Sequence, residues 1–192
     1  MFDLDCRRCE RLSVFLDDVG RQYPEYHARP VAPFGDPDAR LLVVGLAPGM
    51  HGANATGRPF TGDYAGILLY ETLHRYGFSN RPVSVAADDD LMLIDCRITN
   101  AVKCLPPQNK PTGAEINACR DFLAAELAML SPGSVVIALG AIAHRSVVAC
   151  AGARQKDHVF AHAAEHRLPN GLRLIDSYHC SRYNTQTRRL TE

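Results

Sequence analysis

The chain has 192 residues, 46% of them hydrophobic, with 21 basic against 21 acidic side chains. That size and apolar content predict one globular domain over residues 1–192 with a full core. Zero formal net charge excludes a broadly basic nucleic-acid surface, so any polyanion site has to be local. The longest apolar runs, Leu41–Val44 and Val135–Leu139, fall far short of a membrane span. Met-Phe-Asp-Leu-Asp-Cys at the start lacks the basic-then-apolar pattern of a signal peptide, so no membrane contact and a cytoplasmic location are expected.

In chain order, Glu10–Val19 reads as a helix, because Leu12, Phe15, Leu16 and Val19 share one face and Gly20 follows as a stop. Ala39–Gly45 reads as a strand, Tyr64–Tyr76 as a helix with Ile67, Leu68, Leu69 and Leu73 inward, and Leu91–Thr99 as a second strand. Thr112 with Glu115 three residues on is a capping-box pattern opening a helix that ends at Ser131-Pro132-Gly133. Val135–Leu139 is a buried strand, Ala141–Cys150 a short helix and Leu172–Ser177 the last strand. Such alternation predicts an α/β protein, a three-layer α/β/α sandwich around a mostly parallel sheet of about four strands. A helix covering the final strand is missing from this pattern; Thr191-Glu192 either opens one or the last layer is thin.

Between the first strand and the next helix lies Gly45–Asp63, with five glycines in nineteen positions. Glycines let backbone approach a ligand closely, and a long loop at the C-terminal end of a buried strand is where open α/β sheets bind ligands. Arg58, Phe60 and Asp63 add a charge, an aromatic face and a carboxylate to it. A purely structural Ω-loop is the alternative.

Four of the seven cysteines stand out. Cys6 and Cys9 fall within one turn, while Cys104 and Cys119 bracket fourteen residues. Four thiolates suit tetrahedral zinc or an iron-sulfur cluster, and spacing alone does not choose, although the second pair lacks the short spacing of zinc ribbons. Cys96 and Cys150 read as core. His158, His162 and His166 recur every four residues, yet Pro169-Asn170-Gly171 and the neighbouring apolar residues fit a hairpin approach to the last strand equally well, so no metal is expected there. The only dense basic cluster is Arg182, Arg188 and Arg189, set among the hydroxyls and amides of Ser181, Tyr183 and Asn184. These groups suit phosphate contacts, or form a solvated tail.

Three segments together resemble the uracil-DNA glycosylase superfamily: Gly45–Asp63, the run Ile98-Thr99-Asn100-Ala101-Val102-Lys103-Cys104-Leu105-Pro106-Pro107-Gln108-Asn109-Lys110-Pro111, and Ser177-Tyr178-His179-Cys180-Ser181-Arg182-Tyr183-Asn184-Thr185. The resemblance covers nearly the whole chain, with gaps at 80–90 and 153–168. Iron-sulfur branches of that superfamily place cysteine ligands in this order, two near the N-terminus and two around the central helix. Gly45-Leu46-Ala47-Pro48 and Gly57–Asp63 look most like family 5, the type B enzymes; family 4 usually has glutamate where Leu46 stands and a small residue where Asp63 stands.

The resemblance implies a monofunctional DNA repair glycosylase with a structural [4Fe-4S] cluster on Cys6, Cys9, Cys104 and Cys119, acting as a monomer on DNA containing uracil or another deaminated base such as hypoxanthine or xanthine. Its chemistry needs a flipped base, stabilisation of a departing anion and a carboxylate near the cationic sugar. Phe60 is expected to stack on the base, Asn100 to read its polar edge, His179 to donate to its carbonyl oxygen, and Asp63 to orient water or offset sugar charge. Gly45, Leu46, Ala47 and Gly49 would bring backbone amides to the substrate. Arg58, Ser181, Arg182, Tyr183, Asn184, Arg188 and Arg189 are expected on the DNA, with Arg182-Tyr183 at the wedge position. Cys180 departs from the proline many relatives carry after this histidine, and packing is the expected role of its thiol. The alternatives are a non-catalytic iron-sulfur nucleic-acid-binding module and a zinc-stabilised nucleoside hydrolase.

Overall fold

The computed structural model describes residues 2–191. Its elements run α1 (Glu10–Gln22), β1 (Phe34–Gly35), β2 (Leu41–Gly45), α2 (Ala53–Thr56), α3 (Tyr64–Arg75), β3 (Cys96–Asn100), α4 (Gly113–Ala128), β4 (Val135–Leu139), α5 (Ala141–Cys150), β5 (Glu165–Arg167), β6 (Arg173–Ser177) and α6 (Arg182–Gln186). The sheet order is β1-β3-β2-β4-β6-β5. β3, β2, β4 and β6 are mutually parallel, whereas β1 and β5 pair antiparallel at the two edges. The sheet is therefore α/β and mostly parallel as expected, but it has six strands rather than four. The two edge strands span two and three residues and carry no apolar alternation, so no periodicity announces them.

Alternation along β2 sets the layers. Leu41 and Val43 pack with Ala65, Leu69 and Leu73 of α3 on one face. Leu42 and Val44 pack with Leu123 and Leu127 of α4 and with Val147 and Val148 of α5 on the other. A third cluster joins Leu12, Leu16 and Val19 of α1 to Val102, Leu105 and Cys119. On the α3 face, the β4–β6 half of the sheet leaves a groove of about 810 Å³ lined by Ile137, Leu139, Ile175 and Leu190 among others. Thr191 is not helical, and Glu192, the other half of the expected final helix, lies outside the described residues. No helix among the described residues is long and apolar enough to cross a membrane.

Three boundaries differ from the sequence reading for local reasons. α1 continues past Gly20 to Gln22, because Gly20 keeps a right-handed backbone and the Tyr23 amide still bonds the Val19 carbonyl at 2.8 Å. The second long strand starts at Cys96 rather than Leu91: Leu93 bridges antiparallel to Ser79, and Asp95 adopts a left-handed φ of 49° while its carboxylate holds Arg40. Residues 182–186, read as part of a tail, form a short helix whose N-terminus is capped by Ser181.

Two polar contacts fasten the N-terminal helix and the end of β3 to α4. Arg11 holds Glu115 through two contacts of 2.7 Å, and Glu115 closes the expected capping box with Thr112. Lys103, 1% exposed, donates to Glu126 Oε1 at 2.6 Å and to Thr99 Oγ1 at 2.5 Å. The C-terminal ends of β2, β3 and β6 open on one side of the sheet, where the winding direction reverses between β3 and β4, and this edge is the default ligand crevice of such sheets.

Candidate active site

A pocket of about 370 Å³ occupies that crevice. It is lined by Leu46, Ala47 and Gly49 from the loop after β2, by Phe60 and Asp63 farther along it, by Asn100 at the end of β3, and by His179, Ser181 and Arg182 after β6. Asp63, Asn100 and His179, more than a hundred residues apart at the extremes, are thus neighbours.

Two glycines make the convergence possible. A Cβ on Gly45 would lie 2.4 Å from Asn100 Oδ1 and 2.6 Å from Phe60 Cζ, and one on Gly52 would lie 2.5 Å from the Asp63 Cβ. Phe60 itself takes a left-handed φ of 55°, uncommon for a bulky residue and a mark of imposed backbone strain. Its ring stacks on His179 with centroids 5.8 Å apart and 30° between planes.

Each polar group has a defined state. Asn100 is buried and lines the pocket, and its Oδ1 has no hydrogen-bond partner among the described residues. Asp63 caps α3, accepting from the Gly66 amide at 2.9 Å with Oδ1. Burial pushes the Asp63 carboxyl above its ordinary value against the opposing pull of the Gly66 amide and His179. Burial also lowers His179, only partly offset by Asp63, which leaves a neutral imidazole at pH 7 able to donate one hydrogen bond. The carbonyl of His179 accepts from Asn184 Nδ2 at 2.7 Å.

The expected DNA-contacting residues divide. Arg182, Tyr183, Arg188 and Arg189 are exposed, with the Arg182 guanidinium 5.0 Å from the Tyr64 ring centre and that of Arg189 5.4 Å from Tyr183. Ser181 caps α6 and Asn184 ties down the His179 loop, so both shape the loop from within. Arg58 requires a correction, because its side chain is 5% exposed and turned away from solvent. It donates to Asp89 at 2.5 Å, to Ser84 and to the Ala87 carbonyl, and lies over the Phe34 ring. Burial alone would raise the Asp89 carboxyl, but Arg58 and the amides of Val85, Ala86 and Leu91 outweigh it and hold it below the usual carboxylate range. With Tyr70 donating to the Pro59 carbonyl and Thr61 bonding Ser84, this clamp pins residues 58–61 from behind. Nothing in the periodicity of residues 80–90 signals the clamp; a basic residue inside a glycine-rich loop reads as a ligand contact until its carboxylate partner is seen.

The four singled-out cysteines also converge. Cys104 and Cys119 are buried, Cys6 and Cys9 half-buried at the start of α1, and all are free thiols. The Cys104 thiol is pushed up to about 12 by burial and then by the neighbouring Cys119, Cys6 and Cys9 sulfurs. Among the described residues no three of these sulfurs lie within 4.8 Å of one another. A tetrahedral Zn(Cys)4 centre would set them about 3.8 Å apart. Cys180 packs in the core beside Phe60 and Leu139, its thiol pushed by burial to about 12, so it is not a reactive thiolate.

A crevice at the strand ends that holds an aromatic ring, an amide, a carboxylate and a neutral imidazole fits the excision of a base. Residues 32–192 match the family model of the Uracil DNA glycosylase superfamily, and the chain belongs to that superfamily. Within it the chain is similar to the type-5 uracil-DNA glycosylases. It is 49% identical to the one from Thermus thermophilus over 97% of this chain and 87% of that protein. Those from Pyrobaculum aerophilum and Mycobacterium leprae are 44% and 42% identical, over 98% and 97% of this chain and 83% and 85% of their own lengths.

The state of Asp63 has a measurable consequence. A carboxyl raised by folding contributes stability below its unfolded range and loses that contribution as pH rises through its folded value. Asp63→Asn keeps an oxygen for the Gly66 amide and removes the buried charge, so its unfolding midpoint at pH 7 is expected at or above that of the wild type, with the gain shrinking toward about pH 4. Asp63→Ala also loses the cap and is expected to cost about 1 kcal/mol relative to Asp63→Asn. Thermal unfolding of the three proteins across this range checks both.

Proposed function

We propose that the chain is a monofunctional DNA glycosylase that takes uracil out of the duplex and hydrolyses its N-glycosidic bond, leaving an abasic site. The observation that carries this reading is the unpaired Oδ1 of Asn100, a residue that lines one pocket together with Phe60, Asp63 and His179. Uracil offers an N–H to that oxygen, a ring face to Phe60 and a carbonyl oxygen to a neutral imidazole donor. As the glycosidic bond lengthens, the base gains negative charge and the sugar positive charge. The hydrogen bond from His179 strengthens to the former, and the carboxylate of Asp63 offsets the latter and orients water. Small residues at 47, 49 and 65 line the pocket, and hypoxanthine and xanthine are proposed as further substrates. Single-turnover release of base from duplex DNA holding one uracil tests the assignment. Asp63→Asn and His179→Ala are expected to lose roughly 100-fold or more in rate with little change in DNA affinity, because their contacts strengthen in the transition state. Wild-type rates in both would overturn the roles. Binding without release by the wild type would favour a non-catalytic module, and release from free deoxyuridine a nucleoside hydrolase.

Cys6, Cys9, Cys104 and Cys119 are proposed to hold a [4Fe-4S] cluster. The Cys119, Cys6 and Cys9 sulfurs neighbour that of Cys104, and four cysteine thiolates are the donor set of such a cluster. The cluster would tie the start of α1 to α4 beside the Arg11–Glu115 contact, and glycosidic hydrolysis asks no electron of it. Anaerobically purified protein should be yellow-brown with about four irons per chain, and Cys104→Ala should be colourless. Stoichiometric zinc on colourless wild-type protein would sink the cluster.

The exposed Arg182, Arg188 and Arg189 are proposed to meet phosphates beside the flipped base. With three such cations on a chain of zero net charge, log affinity should fall only shallowly with log salt. Replacing Arg188 and Arg189 together by Ala should lower that slope by about 2 without changing which base is removed. An unchanged slope on the same duplex would make them a solvated tail.

A further inference from the structure

Away from the pocket, at the base of the His179 loop, three side chains form a closed polar cluster. His144 lies on α5, His166 on β5 and Asp176 on β6, and one donor atom from each comes within 4.8 Å of the other two. His144 Nδ1 is 2.7 Å from Asp176 Oδ1, and His166 Nε2 is 3.1 Å from Asp176 Oδ2. His144 and Asp176 are at most 1% exposed; the His166 ring is 12% exposed. Of the histidines spaced by four in the sequence, only His166 joins the cluster; its partners come from an apolar helix and a buried strand, where nothing in the spacing marks them.

The hydrogen bonds of His144 leave one place to fill. Its Nε2 is 2.8 Å from the His158 carbonyl oxygen, which can only accept, so Nε2 carries the hydrogen. Nδ1 then faces a carboxylate oxygen, another acceptor. A neutral imidazole has a single N–H, so the 2.7 Å contact between Nδ1 and Oδ1 needs a proton held on the ring or on the carboxyl, or a metal ion in place of that proton. Held on the ring, the proton puts an imidazolium charge in a nearly closed site against one carboxylate that two rings share; held on the carboxyl, it leaves His166 facing an acid rather than a carboxylate. A divalent ion uses the lone pairs of both neutral rings and the carboxylate together, and the Nε2–H bond to a backbone carbonyl is the outer contact that orients metal-bound histidines.

We propose that His144 Nδ1, His166 Nε2 and Asp176 bind one zinc ion, with water entering on the His166 side as the fourth ligand. The ion would be structural. It joins α5 to the β5–β6 hairpin one residue before Ser177 and three before His179, and so fixes the root of the loop that carries the imidazole. Nothing in this proposal depends on the glycosylase reading or on the cysteines.

The test uses the full chain as purified, stripped of loosely held metal with a chelator, given one equivalent of zinc chloride and passed through gel filtration. Elemental analysis is expected to find about one zinc per chain. X-ray absorption at the zinc edge should show only nitrogen and oxygen neighbours at about 2.0 Å, with no sulfur at about 2.3 Å. His166→Ala, on the three-residue edge strand, and His166→Gln, which keeps a hydrogen bond to Asp176, should each weaken zinc by more than the roughly 10–100-fold that losing an outer partner costs. Wild-type protein that retains no zinc, sulfur in the first shell, or equal retention by both His166 variants would overturn the site and leave a protonated His–Asp pair in its place.

Discussion

Everything in the pocket depends on how closely β2 lets its neighbours approach. Gly45 ends that strand with no side chain, so Asn100 from β3 and Phe60 from the following loop occupy the volume that any Cβ would fill. Gly52 does the same for Asp63 a turn later. β2 is flanked by parallel strands on both sides up to Val44, and Gly45 itself is held to β3 opposite Asn100, with its carbonyl accepting from the Ala101 amide at 2.9 Å. Close packing transmits even a methyl-sized change here directly to the groups proposed to act on the base.

Charged pairs buried behind the pocket then hold these positions against the strain they contain. Phe60 in a left-handed conformation persists because the chain on either side of it is pinned, by Arg58 to Asp89 and by Tyr70 to the Pro59 carbonyl. Lys103 and Glu126 play the same part for the segment after Asn100. Such pairs are costly to desolvate and contribute little net stability, but removing one partner leaves an uncompensated buried charge, so they favour one geometry over its neighbours. Asp63 and His179 are perturbed in opposite directions by a shared cause, burial, which moves the carboxyl up and the imidazole down, each toward its uncharged form.

Much of this was legible in the residues in order. The parallel strands and the helices between them follow from apolar periodicity and capping, and Thr112 with Glu115 closes the box its spacing implies. The pocket residues could be read because each follows a strand, where parallel topology must bring them to one edge. Membership of the superfamily follows from the same loops, whose glycines let the aromatic and polar residues of the pocket approach one another.

The remainder needed the tertiary structure, because it consists of partners. Arg58 in a glycine-rich loop is indistinguishable in sequence from a phosphate contact, and only the carboxylate of Asp89, thirty-one residues on, makes it a clamp. His144 and Asp176 are hidden in apolar runs and acquire meaning only when β5 carries His166 across β6 to meet them. The edge strands exist because neighbours offer unpaired backbone groups, not because their own residues ask for it. Local sequence determines what each segment is able to form; which distant side chain satisfies a buried charge or an open lone pair is settled by packing, where desolvation makes any group left without a partner costly.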